Sequence, residues 1–111
     1  MNIKRIIYLS LAILGLIVPW YYNLQFFGTA GFSDFVTASS ANLVAKSISF
    51  DLFITTFAGS ALIYIESKRV GVRFPWLYIL LGFFVAFAFA FPLFLFVRET
   101  KLEKSVELQE N

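Results

Sequence analysis

The chain has 111 residues, enough for one small domain, and 59% of them are hydrophobic and 20% aromatic, a balance above the usual soluble range. It has no Cys and no His, which excludes disulfides, thiolate chemistry, iron–sulfur ligation and the commonest general base, haem ligand and metal ligand. A formal net charge of +2 without a basic run argues against nucleic acid as a partner.

Lys4 and Arg5 precede the first apolar run, which goes from Ile6 to Tyr22 and on its longer reading reaches Phe27; its roughly 17 or more residues meet the lower limit for a bilayer-spanning helix. A secretory signal peptide has the same beginning, and Gly28-Thr29-Ala30 is loosely like a cleavage site. The bulky Pro19-Trp20-Tyr21-Tyr22 stretch favours an uncleaved helix instead. Pro19 is expected to bend or end that helix, with Trp20, Tyr21 and Tyr22 at the headgroup boundary.

Between Gly28 and Lys46 the chain is too long for a tight turn and too apolar for a solvated linker. Ser33 is placed to cap a short helix, with Asp34 in its first turn. Phe32, Phe35, Val36, Leu43 and Val44 then fall largely opposite Ser39, Ser40 and Asn42, as in a helix lying in the interface or folded over the bundle.

A second apolar run, Ile48 to Ile65, is interrupted only by Asp51. A cap at Ser47 or Ser49 puts Asp51 in the first turn, where the helix dipole favours a negative charge. An acid within a membrane also suggests a ligand or ion site. Glu66, Lys68 and Arg69 follow as a charged cluster, an anchor with local pairing whose basic side suits anionic headgroups. Gly71 permits a sharp turn, and Pro75 suits the first turn of the next helix.

The third run, Phe74 to Val97, carries no charged side chain and lies between Arg73 and Arg98. As one helix of about 24 residues it rises roughly 36 Å, enough for a hydrocarbon core about 30 Å thick. Pro92 removes the bond to the Ala88 carbonyl, so a kink is expected there. After Arg98, a mixture of Glu, Lys and Leu continues the helix into water before it frays.

The expected fold class is an all-α membrane protein, a single domain over residues 1–111. It has three transmembrane helices at about 6–22, 48–65 and 75–97, a short interfacial helix in the first loop and a polar tail over 98–111. Lys and Arg counts place the N-terminus and second loop in the cytoplasm and the tail outside a multi-pass inner (plasma) membrane protein. Arg98, Lys101 and Lys104 in that tail run counter to the rule. Antiparallel second and third helices would bring Asp51 and Arg98 to one depth, where they should pair.

Small residues let spanning helices approach closely. The third helix offers Gly82, Ala86 and Ala90, the second Thr55, Ala58 and Gly59, and the first Ala12 and Gly15. They serve either internal packing or a seam for a second copy or a larger membrane complex. Phe83, Phe87, Phe91 and Phe94 lie near one another on the third helix. They face lipid or line a site for a carotenoid, quinone or sterol.

With these residues in view, the chain resembles a family of small three-helix bacterial membrane proteins classed as a domain of unknown function. The likeness rests on Pro19-Trp20-Tyr21-Tyr22-Asn23, Ser49-Phe50-Asp51, Glu66-Ser67-Lys68-Arg69, and Phe91-Pro92-Leu93-Phe94-Leu95 with Arg98. It implies the topology and no catalytic residue.

The function expected is that of a non-enzymatic integral membrane protein, self-associating or an accessory subunit, with the bilayer as partner and no cofactor or metal. Asp51 and Glu66 stand about 22 Å apart on one helix, too far to act on one substrate atom. Two alternatives stay open: a lipophilic ligand held by Phe83, Phe87 and Phe91 with Asp51 and Arg98, or an ion or proton pathway through Asp51.

Overall fold

The computed structural model describes residues 2–110; Met1 and the last residue of the expected tail, Asn111, lie outside the described residues. Five helices and no strand are found among them. Helix α1, Ile3–Phe27, starts where the Asn2 side chain accepts the Arg5 backbone N–H at 2.9 Å, satisfying one orphan donor of the first turn. It continues through Pro19 and ends at Phe27, the longer of the two expected bounds. A proline removes one bond, and the neighbouring turns hold the helix together.

Helix α2, Phe32–Ser39, is the short helix expected in the first loop. Its cap is Gly31 rather than Ser33, because the Asp34 carboxylate reaches back to accept the Gly31 N–H at 3.0 Å. Phe35 packs on Phe26 and Phe27 with ring centroids 5.8 and 5.2 Å apart, fastening α2 to the end of α1. Helix α3, Leu43–Val70, begins at Asn42, whose side chain accepts the Ala45 N–H at 2.8 Å. The expected cap at Ser47 or Ser49 is thereby corrected, and Asp51 lies more than two turns inside the helix. Gly71 ends α3 in the left-handed conformation (φ 89°), where a Cβ is disfavoured. Lys68 and Arg69 in the last turn suit the negative end of the dipole.

The third apolar run departs most from expectation. It is not one spanning helix but two, α4 (Pro75–Phe84) and α5 (Phe87–Glu110), broken at Val85 and Ala86. Pro75 occupies the first turn of α4. Phe74 before it adopts φ 57°, a strained value for a residue with a side chain. The ten residues of α4 rise only about 15 Å. Among the described residues two helices, α1 and α3, are long and apolar enough to cross a membrane, not the expected three.

After the break α5 turns back towards the start of α4. Tyr78 and Phe94 meet edge to face, with centroids 5.6 Å apart, and together with Ile63 and Val72 they form the buried core. The hairpin of α4 and α5 separates α1 from α3, which have no close backbone approach to each other. Helix α1 runs antiparallel to α5, with Arg5 on Glu103, Gly15 on Ala88 and Trp20 on Val85. The molecule measures 57 × 24 × 21 Å.

The break is held from outside the hairpin. The Phe89 and Ala90 N–H groups bond the Ala86 carbonyl, so the Val85 carbonyl loses its helical donor. The Trp20 indole supplies another, donating to it at 2.8 Å. The kink expected at Pro92 is not where the chain breaks, for Pro92 lies inside α5. Its missing N–H frees the Ala88 carbonyl, and that carbonyl lies against Gly15: a Cβ there would stand 1.9 Å from the oxygen.

Candidate functional site

The hairpin gathers charge at one end of the bundle. Glu66, in the penultimate turn of α3, accepts from Arg69 through both oxygens and from Arg98 Nε at 2.7 Å. Arg98 Nη1 lies 3.9 Å from Glu99, whose side chain is buried. Arg5 reaches across from α1 to Glu103 at 2.8 Å and lies 5.2 Å over the Phe96 ring. Lys68 sits 4.5 Å over Tyr64. Three helices that share little polar surface elsewhere are tied together here by charge-assisted bonds.

The expected Asp51–Arg98 pair is therefore overturned. Arg98 belongs to Glu66, and Asp51 is exposed and takes no part in the four ion pairs found among the described residues. Because the apolar run folds back, everything after Ala86 returns to the end where α4 began. For the same reason the tail does not lie across the bundle from the N-terminus, since Glu103 meets Arg5.

The Phe residues divide between two elements. Phe83, on α4, packs on Phe53 and Phe57 of α3 with centroids 6.2 and 5.1 Å away. Phe87 and Phe91, on α5, stack on each other at 5.2 Å. The Phe87 ring occupies the space beside Gly59, where a Cβ would meet it at 2.1 Å. Of the small residues, Gly15, Gly59, Gly82 and Ala90 face neighbouring helices within the chain, and Ala86 lies at the break. Thr55 is exposed, while its neighbour Thr56 is buried and bonds back to the Leu52 carbonyl at 2.7 Å.

Two grooves open on this surface. One, of about 370 Å³, lies between α3 and α5 at the charged end, lined by Leu62, Glu66, Arg69, Phe94, Leu95 and Arg98. The other, of about 260 Å³, lies between α2 and α3 and has Lys46, Ser49 and Phe50 among its lining residues. The first combines charged donors with apolar walls, the composition of a site for an amphiphile. Sequence reasoning missed Glu66 as the partner of Arg98, and Arg5, Glu103 and Trp20 as interhelical ties. Trp20 and the charges carried a signal, but one that pointed to interfaces.

An all-helical chain with two helices apolar enough to cross a membrane and a charged groove at one end defines a class without an activity. The family described as "Protein of unknown function DUF2834" matches residues 7–100. The chain belongs to this family. No curated protein and no solved structure matches it.

Proposed function

We propose that this is a non-enzymatic integral membrane protein with two spanning helices and a re-entrant hairpin, working as an accessory or self-associating bundle. The observation that carries the reading is the exposure of α1 and α3. Ile6, Ile7, Leu11, Leu14, Ile17, Ile54, Phe57 and Ile65 are each 47% exposed or more. Helices of a soluble domain bury such a face, and lipid or other helices are the solvent that suits it.

The orientation follows from charge. Lys4, Arg5, Lys68, Arg69, Arg73, Arg98, Lys101 and Lys104 all belong to one end of the hairpin arrangement, leaving only Lys46 at the other. That asymmetry supports a cytoplasmic location for both the N-terminal turn and the tail, and it removes the conflict that a three-span topology creates for Arg98, Lys101 and Lys104. The absence of His and Cys and the pairing of Glu66 and Glu103 support a role without catalysis. With Gly15, Gly59 and Gly82 used within the chain, the surface for a partner is the exposed face of α3 that carries Thr55 and Ala58.

The chain has no Cys, so single cysteines report topology cleanly. In intact cells a membrane-impermeant maleimide should label Ser40→Cys, whereas Lys68→Cys and Lys104→Cys should react only after lysis. Labelling of Lys104→Cys in intact cells would restore the three-span topology and sink the re-entrant one. Mass measurement in mild detergent addresses association. A partner-free monomer, with Ala58→Leu unchanged from it, would rule out the accessory role.

A further inference from the structure

We infer that the groove between α3 and α5 binds the phosphate of an anionic phospholipid, with Arg98 and Arg69 as its donors and Leu62, Phe94 and Leu95 against the adjoining acyl chain. Charge and hydrogen-bond accounting point there. A single carboxylate, Glu66, accepts hydrogen bonds from two guanidiniums, and Glu99 balances the second charge only as a looser ion pair. Arg98 is only 23% exposed yet bonds through Nε alone; its other acidic neighbour, Glu99, is 3.9 Å away, beyond hydrogen-bond reach. A guanidinium carries five N–H donors in a planar fork. Most of those on Arg98 are thus unspent in a half-buried position, and Glu66 holds the fork in place beforehand. Phosphate oxygens match such a fork in charge and spacing.

The walls distinguish a lipid from a free anion. Phe94 is buried and Leu62 is 47% exposed, and Leu62 continues the groove onto the apolar face of α3, where an acyl chain has a path and a small anion gains nothing. This inference rests on the membrane reading above, which sets the charged end at headgroup level. Phosphate contacts from basic side chains near a leaflet add to general attraction, and a defined site must exceed it.

The test uses the full chain in two stages. Flotation with phosphatidylcholine vesicles comes first, and a chain that stays out of the vesicles overturns the membrane reading itself. For a chain that floats, native mass spectrometry from mild detergent with equal phosphatidylglycerol and phosphatidylcholine should show one phosphatidylglycerol retained, preferred about tenfold, the scale of one charge-assisted bond. Arg98→Gln and Arg69→Gln should bring the two lipids near parity. Lys4→Gln and Lys104→Gln, which remove equal charge outside the groove, should leave the preference intact. Should Arg98→Gln fail to fold, Arg69→Gln, at a side chain 62% exposed, carries the same comparison. Parity in the unmodified chain overturns the site, as does equal loss in the Lys variants. Calorimetric binding of inorganic phosphate without lipid preference would assign the groove to a soluble anion and overturn the lipid.

Discussion

Gly15 and Ala88 meet where two prolines leave both of their carbonyls without a helical donor. Pro19 stands four residues after Gly15 and Pro92 four residues after Ala88, the offset at which a proline removes a bond. The loosened turns of α1 and α5 face each other, and only a residue without Cβ admits the Ala88 carbonyl so closely. Gly15→Ala should accordingly force the helices apart and cost about 1–3 kcal/mol, the range for overpacking, as read by thermal unfolding in detergent. Gly59→Ala should cost less, because the obstructing atoms belong to the Phe87 ring, which can turn, rather than to backbone. Equal losses would show that backbone approach is not what fixes the α1–α5 distance. The sequence made Gly15 legible as a packing residue. Its partner was hidden, since only the hairpin brings Ala88 to it.

At the scale of elements, the break at Val85 and Ala86 decides the architecture, and neither residue is a turn former. The apolar length of the third run pointed to a full span, and its proline pointed six residues too far along. What holds the break lies elsewhere in the chain: the Trp20 indole on the Val85 carbonyl and the gap at Gly59 filled by Phe87. Local propensity cannot report such distant partners, which is why α1, α2 and α3 were legible and the α4–α5 hairpin was not. The start of α3 was misplaced for a local reason: Asn42 caps as well as either serine, and it stands ahead of the apolar run that marked the helix. Trp20→Phe keeps an aromatic ring, though a smaller one, and orphans the Val85 carbonyl; it should destabilise by about 1–2 kcal/mol. The same variant should raise the reactivity of a cysteine placed at Val85, measured by maleimide labelling rate. An unchanged rate would mean the indole bond does not hold the hairpin tip.

For the whole molecule, one reversal of the chain changes the position along the bundle of everything that follows it. Arg98 was matched to Asp51 on an expectation of three spanning helices; with the third run folded into the α4–α5 hairpin it meets Glu66, near the opposite end of α3. Glu66 in turn ties α3 to α5, while Arg5 and Glu103 tie α1 to α5. Removing one member of such a pair leaves its partner's charge uncompensated. Glu66→Gln should therefore lower the thermal midpoint more than the double variant Glu66→Gln with Arg98→Gln, even though the double change removes more charge. A double variant that is the less stable of the two would show that Arg98 holds the fold through contacts other than Glu66.

The separation of α1 from α3 bears on how the chain is made. A ribosome delivers α1 first and α5 last, yet α5 is the element against which α1 packs most of its length. Until the final helix emerges, α1 has only the short α2 for a neighbour, and on the membrane reading proposed above it waits in the bilayer with its Gly15 notch unfilled. Biogenesis thus ends with a wedge driven between two waiting helices, and a nascent chain stopped at Val70 would expose that notch to whatever insertion factor or protease reaches it first.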